Sequence, residues 1–266
     1  MTDPGTSLAR SAYYALNRLL VRAGVRLVRL PDLGSIDNEG HRYDYEMISV
    51  PRYAPWLGDQ AFRAIADKVA SHTLVDRFRC WELYQLVREV AGVPGDVIEV
   101  GVWRGGTGAI LASAASRWKS GARVYLCDTF SGVVKAGARD SMYRGGEHAD
   151  TSLTLVQGLV DRLGLTNVEL LQGIFPDETA ARVREGRVAL LHIDVDVYQS
   201  AMDIVRWALP RLPAGGIVVF DDYGFRGCDG VTLLVHELRD TGEWQYVYNL
   251  NGHAILTRRA TGSAGA

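Results

Sequence analysis

The stretch Asp96-Val-Ile-Glu99-Val-Gly101-Val-Trp103-Arg-Gly105-Gly106-Thr107-Gly108 decides the fold. It follows the break Val93-Pro94-Gly95 and leads into Ala109-Ile-Leu-Ala, which reads as the start of a helix. A short β-branched run, a glycine-rich turn and a helix form the opening unit of a parallel α/β sheet. In such a unit the turn lets a ligand approach the backbone and meet the helix N-terminus. Similar apolar runs recur at Val97–Val100, Val124–Cys127, Val168–Leu171, Val188–Ile193 and Ile217–Phe220. Helix-length segments separate them, which predicts five parallel strands with helices on both faces. The chain then changes pattern. Trp244–Leu250 and Ala254–Arg258 flank Asn251-Gly252, predicting an antiparallel hairpin closed by a tight turn.

Upstream of this α/β pattern, Asp59 to Val90 reads as helical, with apolar residues at Phe62, Ile65, Val69, Leu83, Leu86 and Val87. Residues 31–60 are irregular and rich in Pro, Asp, Gly and Tyr. Leu8 to Leu30 reads as an amphipathic helix in which Arg10, Arg18, Arg22, Arg26 and Arg29 interleave with Leu16, Leu19, Leu20, Val21 and Leu27. The arginines interrupt the apolar stretch that a signal peptide requires. Two readings stand for this helix: its apolar face packs on the body or a partner subunit, or it rests on an anionic membrane surface.

The 266 residues carry 29 basic and 31 acidic side chains, a formal net charge of −2. That balance lacks the basic footprint of a nucleic-acid-binding domain, so no nucleic-acid partner is expected. No apolar run is long enough for a transmembrane helix. Cys80, Cys127 and Cys228 are widely spaced, with no CxxC pair, and read as buried thiols of a cytoplasmic protein.

The chemistry gathers at the predicted strand ends. A dinucleotide fingerprint GxGxxG places its second glycine where Trp103 stands, which counts against a nicotinamide cofactor. Glu99, two residues before Gly101, repels a pyrophosphate but suits a ligand carrying an ammonium or sulfonium group. Asp128, at the tip of the second strand, is placed to accept the ribose hydroxyls of an adenosine. Together Glu99, Gly101 and Asp128 fit S-adenosylmethionine.

A second group is acidic. His192-Ile-Asp194-Val-Asp196 ends the fourth strand and Asp221-Asp222 the fifth. In extended backbone Asp194 and Asp196 project to the same side. Ligands of open α/β sheets bind beyond the carboxyl ends of strands, so all four carboxylates gather at one edge. Bare carboxylates at close range repel and raise one another's pKa values. A divalent cation removes that conflict, and an all-oxygen set suits Mg²⁺, Ca²⁺ or Mn²⁺ over zinc. Spacing leaves open which of Asp194 and Asp196 binds metal. His148, in the polar loop after the second strand, overhangs the same tips and is a candidate base or substrate contact. His192, inside an apolar strand, reads as a core residue with a packing partner.

These motifs, Val93-Pro-Gly-Asp96, Glu99-Val-Gly-Val-Trp-Arg-Gly-Gly106, Asp128-Thr-Phe-Ser-Gly132, Ile193-Asp-Val-Asp-Val-Tyr198 and Gly215-Gly-Ile-Val-Val-Phe-Asp-Asp-Tyr223, resemble the macrocin O-methyltransferase family over about residues 90 to 259. The resemblance implies a class I methyltransferase that moves a methyl group from S-adenosylmethionine to a sugar hydroxyl with Mg²⁺. It implies Asp194, Asp221 and Asp222 as metal ligands and Asp196 as general base. Thr107, Ser131, Gln172 and Gly173 join Glu99, Gly101 and Asp128 around the cofactor. It also implies a domain division. Residues 1–90 form a helical lid or oligomerisation region, most simply of a dimer, residues 91–259 the methyltransferase domain, and residues 260–266 a flexible tail. The implied partner is a sugar or oligosaccharide. Two rivals stand beside this reading. One is methylation of a catechol-like phenol, where a lysine base is expected soon after the first metal aspartate; Tyr198 and Gln199 stand there instead. The other is an inactive S-adenosylmethionine-binding regulator, which has no need of the acidic quartet.

Overall fold

The computed structural model describes residues 15–20, 22–23, 25, 53–184 and 186–260. Two compact units divide the chain, Met1–Pro51 and Arg52–Ala266. In the first, residues 15–20 and 22 are helical, and the rest of the helix expected over Leu8–Leu30 lies outside the described residues. Residues 261–266 of the expected tail also lie outside them. Among the described residues no helix is long and apolar enough to cross a membrane.

The second unit starts well before the boundary expected at residue 90. Its first helices are α1 (Gln60–Val69) and α2 (Arg77–Glu89). Asp59 caps α1, accepting the Phe62 amide at 2.9 Å, and Asp76 caps α2, accepting the amides of Phe78 at 2.8 Å and Arg79 at 3.2 Å. The single helical stretch expected over Asp59–Val90 is therefore two helices with a turn between them. Both belong to the core, because Phe62, Ile65, Val69, Leu83, Tyr84 and Val87 pack with Val97 and Leu126 of the sheet.

The sheet comprises β1 (Asp96–Val100), β2 (Val124–Asp128), β3 (Val168–Gln172), β4 (Val188–Ile193), β5 (Ile217–Phe220), β6 (Trp244–Tyr248) and β7 (Ala254–Arg258). Their order is β3-β2-β1-β4-β5-β7-β6. The first five strands are parallel, and β7 runs antiparallel to both β5 and β6. Connecting helices are α3 (Gly106–Trp118), α4 (Leu153–Leu163), α5 (Tyr198–Ala208) and α6 (Asp229–Arg239). One core, beneath α1 to α4, takes Val97, Leu126 and Leu190. The other, beneath α5 and α6, takes the alternate residues Ile98, Tyr125 and Leu191. Strands buried on both faces explain the continuous apolar runs of the sequence.

The hairpin departs from its expected form. Tyr248 pairs directly with Ala254, so residues 249–253 make a five-residue connection in place of a two-residue turn. Asn249 and Asn251 in that connection donate to Glu82 of α2, the latter at 3.2 Å. The extra residues dock the hairpin on α2.

Candidate active site

A cavity of about 360 Å³ opens beyond the carboxyl ends of the strands, where the strand order reverses between β1 and β4. This is the ligand position of open α/β sheets. Gly101 makes the crevice: its φ is +90°, and a Cβ there would lie 1.6 Å from the Asp194 carbonyl oxygen. Gly173, after β3, has φ +136° and is similarly confined by Glu178 and Thr179. Both glycines line the cavity with Thr107, Asp128 and His148.

On the β1–β2 side one carboxylate organises the backbone. Asp128 Oδ2 accepts the amides of Val102 at 2.7 Å and Trp103 at 2.8 Å, and Oδ1 accepts Phe130 N at 2.6 Å. Its remaining acceptor capacity faces the cavity. Glu99 does not reach the cavity. It is fully buried, and its Oε1 bonds His192 Nδ1 at 2.9 Å. Strand parity is the reason: Glu99 shares the face of Val97, under α3, where its Oε2 lies close against Gly108. His192 is thus the core residue expected, and Glu99 is its partner. Ser131 and Gln172 are also displaced from the expected cofactor set. Both are exposed and neither lines the cavity. The Ser131 hydroxyl turns to the Thr129 carbonyl at 3.3 Å.

On the β4–β5 side Asp194, Asp196, Asp221 and Asp222 all line the cavity. The alternation of an extended strand does not bring them together. β4 stops at Ile193, and Asp196 and Asp222 have φ of +63° and +56°, left-handed values that a non-glycine residue adopts only at a cost. Asp196 Oδ1 accepts the Tyr143 hydroxyl at 2.7 Å and faces the Cys228 thiol at 3.8 Å. Asp196, Asp222 and Cys228 each place a potential ligand atom within 4.8 Å of the others.

Charge is crowded here. Burial, then the carboxylates of Asp221 and Asp196, push Asp222 up to about 8. Burial and the carboxylates of Asp221, Asp222 and Asp196 raise Asp194 well above the usual range. Burial also acts on Asp221, but His253 and Arg79 outweigh it and hold that carboxyl below the ordinary value. Burial raises the Cys228 thiol, aided by Asp222 and Asp196. The oxygen donors of Asp194, Asp221 and Asp222, two of them raised by burial and then by mutual repulsion, fit a hard divalent cation.

Several site residues had no motif to announce them. Arg79 is 6% exposed and reaches from α2 to both Asp221 and Asp222, at 3.1 Å to the latter, while its Nε bonds Asp76 at 2.8 Å. It occupies the buried side of α2 with Leu83 and Val87, four and eight residues on. A charge at an apolar helical position was the available signal. Glu82, His253 and Tyr143 join through contacts separated by many residues in sequence, and nothing local marks them.

The strand order with its terminal antiparallel hairpin, the glycine crevice at the switch point and the acid at the tip of β2 define a class I methyltransferase. The sequence model of the macrocin-O-methyltransferase (TylF) family matches residues 59–245. The chain belongs to that family and is an S-adenosylmethionine-dependent O-methyltransferase. It is 33% identical over 207 residues to 8-demethyl-8-(2,3-dimethoxy-alpha-L-rhamnosyl)-tetracenomycin-C 4'-O-methyltransferase of Streptomyces olivaceus, covering 73% of this chain and 78% of that one. It is 35% identical over 205 residues to mycinamicin III 3''-O-methyltransferase of Micromonospora griseorubida, covering 71% and 79% respectively. The solved structure of the O-methyltransferase NovP matches with a TM-score of 0.63 and 26% identity, over 71% of this chain and 83% of that chain.

Proposed function

We propose that this protein transfers a methyl group from S-adenosylmethionine to a sugar hydroxyl in a Mg²⁺-dependent reaction, with Asp196 as general base. The observation that carries the reading is one cavity with two unlike walls: Gly101, Thr107, Asp128 and Gly173 on one side, four carboxylates on the other. The names of the relatives from Streptomyces olivaceus and Micromonospora griseorubida, both sugar-directed O-methyltransferases, support a glycosidic acceptor.

When bound, S-adenosylmethionine would supply an electrophilic methyl, and a divalent cation, which Asp194, Asp221 and Asp222 would hold, would supply Lewis acidity toward the acceptor hydroxyl. The chain's own residues do the rest. Asp128 orients the ribose while its backbone partners keep the glycine turn in place. Gly101 and Gly173 let the cofactor approach the main chain. Asp196 receives the proton of the acceptor hydroxyl, a role worth about 10²–10⁴-fold. The Tyr143 hydroxyl holds that carboxylate in position through its 2.7 Å bond. His148 stands on the cavity wall with its ring centroid 6.1 Å from that of Tyr143, placed for contact with the acceptor.

The test is transfer from radiolabelled S-adenosylmethionine to a panel of deoxysugar glycosides, free sugars, oligosaccharides and catechols. Methylation of a glycoside or saccharide with none of the catechols is expected. Transfer to catechols alone would replace the sugar reading with the phenol one.

A further inference from the structure

Behind the acidic tip, away from the cavity, two buried histidines converge on Asp221. His192, on β4, has Nδ1 2.9 Å from Glu99 Oε1. His253, just before β7, has Nδ1 2.5 Å from Glu82 Oε2. Both residues are fully buried, and their ring centroids lie 5.9 Å apart. With a carboxylate against Nδ1 in each pair, Nε2 is the ring atom left for a further partner. Neither Nε2 has a hydrogen-bond partner. The Nε2 of His253 lies 3.4 Å from Asp221 Oδ1, and His192, Asp221 and His253 each offer a ligand atom within 4.8 Å of the others. Two imidazole nitrogens and a carboxylate oxygen therefore lie close together.

The 3.4 Å between His253 Nε2 and Asp221 Oδ1 matches a metal centre, where ligand atoms about 2.0–2.1 Å from a tetrahedral ion stand roughly 3.3 Å apart. Glu99 and Asp221 are buried acids beside these rings, and the guanidinium that reaches Asp221, that of Arg79, is divided among Asp76, Asp221 and Asp222.

We propose that His192 Nε2, His253 Nε2 and an Asp221 carboxylate oxygen hold a divalent transition-metal ion of the zinc or cobalt type. Two imidazoles and one carboxylate select this class over magnesium, which prefers all-oxygen ligands. The centre is distinct from the oxygen site on the cavity side, although both draw on Asp221. Glu99 and Glu82 are its outer shell, and Asn249 and Asn251 in turn hold Glu82. The ion ties the tips of β4 and β5 to the start of β7 and, through Glu82, to α2. It fixes the side chain of Asp221 from behind. The rival arrangement is a proton on His253 Nε2, shared with Asp221: burial opposes it, but Asp221 and Glu82 outweigh burial and raise the imidazole above its ordinary value.

Metal-free wild-type protein, stripped with a chelator, is titrated with Co²⁺ in excess Mg²⁺ so that the oxygen site is filled. One equivalent of cobalt with the visible d–d bands of a low-coordinate nitrogen and oxygen site is expected. Zinc X-ray absorption of the loaded wild type should count two imidazole nitrogens and no sulfur. His192→Gln and His253→Gln should each abolish the cobalt bands, and Glu82→Gln should weaken cobalt binding about 10–100-fold. Asp194→Asn should leave the bands intact. Absence of cobalt uptake by the wild type would overturn the proposal in favour of the proton. So would an absorption spectrum without imidazole, or bands that survive both histidine substitutions. The wild-type spectra decide the matter should a histidine variant fail to fold.

Discussion

At the tips of β1 and β2 one carboxylate, Asp128, accepts three backbone N–H groups from residues in the adjoining turns. At the tips of β4 and β5, four carboxylates border the same cavity, and Arg79, from a helix distant in sequence, reaches two of them, Asp221 and Asp222. The first wall satisfies its charge locally and leaves spare acceptor capacity, which suits binding hydroxyls. The second crowds acids together, and burial followed by the neighbouring carboxylates raises Asp194 and Asp222, a conflict that a bound cation removes. On the function proposed above, one wall holds a ligand and the other changes its reactivity.

Substitutions on each wall should therefore have different signatures. The largest effect is expected where the walls meet. Gly101→Ala places a Cβ 1.6 Å from the Asp194 carbonyl oxygen at φ +90°. The strands must separate to admit it, so loss of soluble folded protein, or destabilisation beyond about 4 kcal/mol, should appear in thermal or denaturant unfolding. Full activity with unchanged stability would show that the two tips do not approach as described.

Asp196→Asn should lower kcat about 10²–10⁴-fold while S-adenosylmethionine affinity by calorimetry stays within a factor of two or so. Equal losses in both would place Asp196 on the binding wall. Arg79→Leu removes the cation from two carboxylates and should cost about 3–5 kcal/mol of stability in metal-free protein. Added Mg²⁺ should recover part of that loss, more than it raises the wild type, because one cation substitutes for another. An identical Mg²⁺ increment in both proteins would separate Arg79 from the cation site.

Asp128→Asn should weaken cofactor binding roughly ten- to hundredfold, the range of a lost charged hydrogen bond, with kcat at saturation little changed. Tyr143→Phe is the mildest change. It removes one bond to Asp196 and should reduce kcat about fivefold, the worth of roughly 1 kcal/mol, without altering cofactor affinity.

The same division explains what the sequence revealed. Five apolar runs marked all five parallel strands to within a residue at their ends; β1, β2, β4 and β5 lie inside the sheet, where burial on both faces admits few polar residues, and β3, at the edge, is only half-buried. Gly101 and Asp128 were readable because the glycine turn and the acid that organises it are both written at strand ends. Glu99 misled because proximity in sequence to Gly101 says nothing of which face of β1 a side chain takes. Its parity with Val97 carried the correct answer. The acidic quartet was readable as a group, although the left-handed backbone at Asp196 and Asp222 that aims it was not. Arg79, Glu82 and His253 were hidden because their meeting depends on α2 and the β6–β7 connection packing together. That is a tertiary contact between segments separated by 171 positions in the case of Glu82 and His253.

The central claim is that the carboxylate wall works through a hard divalent cation. The most direct test is the rate of methyl transfer by fully chelated enzyme, followed by titration with Mg²⁺, with Asp222→Asn assayed in parallel. The expected result is loss of activity on chelation, saturable recovery with Mg²⁺, and recovery in Asp222→Asn only at much higher Mg²⁺ or not at all. Undiminished turnover in rigorously metal-free enzyme would contradict it and leave the four carboxylates with a role in acceptor binding and proton transfer alone.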